Sequence, residues 1–156
     1  MTWQEVCDDK TLRDLPFKIE LNRWGNIEMS PHRLQHSVMQ GRISARLSKL
    51  MPQGEIAVEC AVNTTDGVRV PDVAWVSTER WNQMSDSATC TVAPEICIEV
   101  LSASNSAEEM AHKRNLYFEA GAVEVWFCDE QGQVQFFSPA GSLKRSRLCS
   151  RFPVHI

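Results

Sequence analysis

Three ionisable residues, Asp72, Glu99 and Lys113, stand where their neighbours predict apolar packing. Glu99 lies in Pro94-Glu95-Ile96-Cys97-Ile98-Glu99-Val100-Leu101, a β-branched run bounded by Pro94 and by the serines of 102 to 106. The run predicts a strand buried on both faces, with Ile96, Ile98 and Val100 on one and Cys97, Glu99 and Leu101 on the other. A lone carboxylate there would suffer a large desolvation penalty, so it must be protonated, paired or bound to a metal ion.

Lys113 raises the same question on a helix. Ser106 and Glu109 have capping-box spacing and Gly121 is a C-terminal stop, which predicts a helix from Ser106 to Ala120. Met110, Lys113, Leu116, Tyr117 and Ala120 fall on one stripe of it, with Lys113 at the centre. The plainer reading of Lys113 is an ordinary i, i+4 salt bridge with Glu109. Asp72 follows Pro71 in the extended segment from Val70 to Val76, so it is either a turn residue or a carboxylate in the first turn of a strand.

Two carboxylates on neighbouring strands and one lysine are what divalent-metal cleavage of a phosphodiester needs. Hard oxygen ligands suit Mg²⁺ (or Mn²⁺), which would lower the pKa of an attacking water and neutralise phosphate charge, while the lysine stabilises the developing oxyanion or orients the water. Asp72, Glu99 and Lys113 are therefore the candidate catalytic residues.

The ordered set Pro71-Asp72-Val73, Pro94, Glu99-Val100-Leu101-Ser102, Lys113, Tyr117, Gly121, Glu124, Trp126 and Asp129, with Ser30-Pro31 and His36 upstream, resembles the PD-(D/E)XK nuclease superfamily. More closely it resembles the Uma-two family of restriction-endonuclease-like proteins, over about residues 25 to 137. The superfamily's usual lysine, two residues after the acid, is replaced by Leu101; in the Uma-two branch the lysine sits on the following helix, the role open to Lys113. The aromatic residue that this branch often places before the tryptophan is Val125 here. The resemblance implies a Mg²⁺- or Mn²⁺-dependent DNA endonuclease, with metal held by Asp72, Glu99 and the Val100 carbonyl, and a homodimer. The accessory candidates are His36, Tyr117 and Glu124, which match its pattern, and Glu59, which does not belong to it. By position alone His36 reads as a helix-packing histidine, and Glu59 as a solvated residue that a hairpin could bring near Asp72. Many superfamily members carry an acid on the helix of residues 31 to 50, but here that stretch holds no Asp or Glu.

The chain of 156 residues predicts one restriction-endonuclease-like domain over 1–156. The fold class expected is α/β (α+β): a mixed central β-sheet flanked by helices, with an N-terminal β-hairpin. Net charge is −4, which weighs mildly against a broad basic nucleic-acid surface and favours confining positive charge to one region. Arg42, Arg46 and Lys49, on one helix side, and Arg69 are the candidate nucleic-acid contacts. Six cysteines without CxxC or zinc spacing read as reduced, pointing to the cytoplasm, and no apolar run suits a signal or a membrane span. Two further readings are a catalytically silent nucleic-acid-binding or scaffold protein of the same fold, and a phosphodiesterase acting on a small nucleotide.

Several elements must position these residues. Phe17, Ile19 and Leu21 alternate with polar residues and turn through Arg23-Trp24-Gly25-Asn26 into Ile27-Glu28-Met29, a hairpin. Ser30-Pro31 predicts the start of a helix ending near Met51. That helix carries two apolar ridges, Met39, Ile43, Leu47, Leu50 and Leu34, Val38, Gly41, Ala45, and so is expected to be covered on two faces, by the sheet and by either the N-terminal hairpin or a second subunit. Glu55 to Val62 alternates strictly, and residues 77 to 93 form a long polar connection with Trp81 as an anchor.

Overall fold

The computed structural model describes residues 1–156. Two sheets are built from ten strands: β1 (Phe17–Leu21), β2 (Ile27–Pro31), β3 (Gly54–Val58), β4 (Val62–Thr64), β5 (Gly67–Arg69), β6 (Val73–Ser77), β7 (Ile96–Val100), β8 (Glu124–Cys128), β9 (Val134–Ser138) and β10 (Gly141–Leu143). The helices are α1 (Trp3–Asp8), α2 (Leu34–Leu50), α3 (Thr78–Met84) and α4 (Ala107–Glu119). The larger sheet has the order β10-β9-β8-β7-β6-β3, and the smaller has the order β2-β1-β5-β4. Within the large sheet only β7 and β8 run parallel, and α4 makes the crossover that a parallel pair requires.

The central strand β7 separates two cores. Ile96, Ile98 and Val100 pack with Met39, Ile43 and Leu47 of α2, while Cys97 packs on the other side with Met110 and Tyr117 of α4. Glu99, on the Cys97 side, therefore faces α4. Each buried aliphatic side chain here contributes about 1.5–3 kcal/mol relative to exposure, so the alternation in β7 is fixed by packing on both sides.

Chain crossings between the sheets set the rest. The strict alternation of 55 to 62 does not continue as one strand: β3 ends at Val58, Glu59 adopts a left-handed φ of 54°, and the chain passes to β4 in the small sheet. Val58, expected inside, is 55% exposed at that break. Thr64-Thr65-Asp66-Gly67 turns β4 into β5; Gly67 has φ 86°, and a Cβ there would lie 2.1 Å from the Leu21 carbonyl oxygen. The chain then returns from β5 to β6 through Val70-Pro71-Asp72.

Other expectations are corrected. Ser30 and Pro31 do not open α2; they continue the hairpin, with Lys18 opposite Ser30 and Phe17 opposite Pro31, because an edge strand tolerates a proline at its end. The helix starts at Leu34, with Arg33 as N-cap and no side-chain cap. Within the chain its second ridge is uncovered, Leu34 being 82% and Val38 44% exposed, so the N-terminal hairpin does not cover it. Residues 77 to 93 contain α3, capped by Ser77; Trp81 is 44% exposed, and Arg80 ties the segment down by donating to the Ala93 and Gly121 carbonyls. The tail forms a single antiparallel bridge, Gln133 with His155. No helix is long and apolar enough to cross a membrane.

Candidate active site

Asp72 and Glu99 meet because of register. Val73 of β6 is opposite Ile98 of β7, so one step further brings Asp72 opposite Glu99 at the end of the ladder. There the Val100 amide donates to Asp72 Oδ2 at 2.7 Å. Asp72 is fully buried and Glu99 is 2% exposed. The Asp72 backbone is pinned as well, its carbonyl accepting from the Glu59 amide and from Gln40 Nε2, both at 3.1 Å.

Lys113 reaches this pair from α4. Its Nζ lies 3.1 Å from Glu99 Oε1 and 2.9 Å from Glu20 Oε1, so it does not make the plain helix salt bridge with Glu109. Tyr117, one turn along, donates to Glu99 Oε1 at 2.6 Å. His36 Nε2 approaches Asp72 Oδ1 at 3.1 Å from α2, where the helix-packing reading left it without a polar partner.

Two members escaped the sequence reading. Lys18 Nζ lies 2.9 Å from Asp72 Oδ1 and 3.1 Å from Glu99 Oε2, and Glu20 pairs with Lys113 while accepting the Val70 amide at 2.7 Å. Both sit on the polar face of β1, which alternation assigns to solvent. In the structure Ile19 and Leu21 pack into a small core with Val6, Val68 and Val70, and the polar face is pressed against the large sheet. The available signal was charge balance: two buried carboxylates need more than one cation.

The remaining candidates lie elsewhere. Glu59 turns outward, 3.2 Å from His32. Glu124 is buried at a separate place, accepting from Trp126 Nε1 and Ser146 Oγ at 2.7 Å, from the Arg147 amide at 2.7 Å and from the Leu148 amide at 3.0 Å. Arg69 is also buried, bound to Glu28 at 2.6 Å and Asp66 at 3.1 Å, so its charge is not presented outward. Arg42, Arg46 and Lys49 are exposed on α2, beyond His36 along the helix.

Electrostatics follow from burial and proximity. Burial would lower the Lys18 pKa, but Glu99, Asp72 and Glu20 outweigh it and raise the pKa above the ordinary lysine value. Burial pushes Glu99 up against the pull of Lys113 and Lys18. Asp72 and Glu20 also feel burial, yet the lysines and, for Asp72, His36 hold both below the usual carboxylate range. For those two the unfolded state binds more protons, so their stabilisation is present above about pH 4 and is lost as pH falls; Glu99 acts in the opposite sense. Urea unfolding at about pH 6 and about pH 3.5 is expected to show wild-type stability falling over this range. The fall should be smaller in Asp72→Asn; equal slopes would exclude Asp72 as a major source.

A cavity of about 320 Å³ opens over the cluster, lined by Lys18, Glu20, Glu99, Lys113 and His36 below and by His32, Arg33, Ser102, Ser104 and Asn105 around it. No group of three or more His, Cys, Asp or Glu side chains is arranged to hold a metal as it stands. The donor chemistry nevertheless fits a hard cation: carboxylate oxygens of Asp72 and Glu99 converge on one point, now taken by the Lys18 ammonium.

The chain matches over residues 9–151 the model of the Uma2 family, described as "Putative restriction endonuclease". No curated protein matches it. A crystal structure titled as a "putative nuclease belonging to DUF820", from Anabaena variabilis ATCC 29413, superposes with TM-score 0.74 and 18% identity, covering 100% of this chain and 94% of that one, and so shares the fold. A match over most of the chain, on the mixed α/β fold built above, places this protein in the Uma2 family of restriction-endonuclease-like proteins.

Proposed function

We propose that the protein is a metal-dependent DNA endonuclease that hydrolyses phosphodiester bonds. The observation that carries this is the convergence of Asp72, just before β6, Glu99 of β7 and Lys113 of α4 beneath one polar cavity, which Glu99 and Lys113 line and below which Asp72 is buried. Family membership supports a nuclease. Asp72, Glu99 and the Val100 carbonyl would hold Mg²⁺ or Mn²⁺, which when bound supplies charge neutralisation and an acidified water. Lys113, fixed between Glu99 and Glu20, is set to orient that water and to stabilise charge developing on the phosphate. Tyr117 and His36 act by holding Glu99 and Asp72 in place. Glu59, Glu124 and Arg69 have no part in the reaction on this proposal. Arg42, Arg46 and Lys49 would contact DNA, and the uncovered ridge of α2 suits the homodimer that double-strand cleavage favours.

The purified protein is expected to nick supercoiled plasmid with Mg²⁺ or Mn²⁺ and to stop on adding EDTA. The size of the cavity, about 320 Å³, favours one second reading, a phosphodiesterase acting on a small nucleotide. Metal-dependent hydrolysis of bis-p-nitrophenyl phosphate without nicking would select it. Inactivity on plasmid, single strands, RNA and the small diester would instead leave a binding protein.

A further inference from the structure

The carboxylate oxygens that could face a divalent ion are already held by one ammonium. Glu99 Oε1 accepts from Tyr117 at 2.6 Å and lies 3.1 Å from Lys113, and Asp72 Oδ2 accepts the Val100 amide at 2.7 Å. That leaves Glu99 Oε2 and Asp72 Oδ1. Lys18 Nζ is 3.1 Å from the first and 2.9 Å from the second, and His36 at 3.1 Å is the only other group on Asp72 Oδ1. Lys18 thus stands at the point from which a cation would touch both acids.

Access leads to the same residue. Lys18, Glu99 and His36 line the cavity, whereas Asp72 does not and is wholly buried. An ion arriving through the cavity meets Glu99 but is screened from Asp72 by Lys18 and His36. A dication bridging both acids would need the position that the Lys18 ammonium fills, in contact with Glu99 Oε2 and Asp72 Oδ1. The two cations are therefore alternatives.

We propose that Lys18 is an internal counter-ion that competes with the metal: it neutralises Asp72 and Glu99 in the metal-free protein and must swing into the cavity before both carboxylates can hold a divalent ion. This rests on the metal-dependent reading above and adds that metal uptake is an exchange of cations. Once displaced, the ammonium remains tethered to β1 beside Lys113, where it would meet an entering phosphate. Apparent metal affinity scales with the fraction of time the site is free of Lys18, so nine-tenths occupancy by Lys18 would weaken it about tenfold.

The test is calorimetric titration of Mg²⁺ and Mn²⁺ into wild type and Lys18→Met, which keeps the apolar stem, together with detection of the protected Lys18 ammonium of wild type by ¹⁵N NMR. The expected result is binding roughly tenfold tighter or more in Lys18→Met. In wild type the protected ammonium signal should be lost as Mg²⁺ saturates. Equal or weaker binding by a folded variant would overturn the exchange while leaving a metal site. Where Lys18→Met does not fold, the wild-type spectrum decides: an ammonium signal unchanged at saturating Mg²⁺ overturns the proposal. If neither protein binds either ion, the metal-dependent function fails and the exchange falls with it.

Discussion

Replacing Glu99 by Gln is expected to lower metal-dependent cleavage by about 10²–10³-fold or more, and Lys113→Ala to do the same. The amide introduced by Glu99→Gln keeps the shape of the carboxylate, and its oxygen can still accept from Tyr117 and Lys113. What is lost is the charge, and the new NH₂ group faces the Lys18 ammonium, donor against donor. In Lys113→Ala, Glu99 keeps Lys18 but Glu20 loses its strongest partner, so a buried carboxylate is left short of positive charge. Both variants should therefore melt below wild type while remaining folded. The measurement is the initial rate of plasmid nicking for proteins prepared in parallel, each checked by circular dichroism. Rates close to wild type in either variant would move the chemistry away from this cluster.

Glu124→Ala is expected to have the largest effect on stability, about 3–5 kcal/mol, with no specific effect on cleavage. Four donors converge on the Glu124 carboxylate: Trp126, Ser146 and the amides of Arg147 and Leu148. Alanine would remove the acceptor from all four, leaving Trp126 and Ser146 without it in a buried site and the two amides without it in a part-buried one. The carboxylate also ties the turn after β10 to β8, and that turn carries Cys149 and Phe152 into the main core. For a domain of this size the melting temperature should fall on the order of 10 °C. Thermal melts and denaturant unfolding measure this, with nicking assayed well below the transition. Loss of nicking with an unchanged melting temperature would return Glu124 to the active site.

Part of the candidate cluster was legible because burial and charge conflict locally. A glutamate inside a β-branched run and a lysine at the centre of an apolar stripe each announce an unusual environment without knowledge of their partners. The fold class was legible for a related reason: β7, α4 and β8 show strong patterns in chain order, and strand, helix, strand fixes a parallel pair. The pairing of Lys18 and Glu20 with that cluster was decided by tertiary structure. Alternation states that β1 has one apolar and one polar face, but not what covers the polar one; here it is the large sheet, because the chain crosses between sheets at Glu59 and again at Asp72. The same limit applies to Glu124, whose position looks like that of a site acid until the tail from Ser146 to Leu148 closes on it. Residue type and spacing determine which groups cannot be left alone in the core, whereas only the packing of distant segments decides which partner each receives.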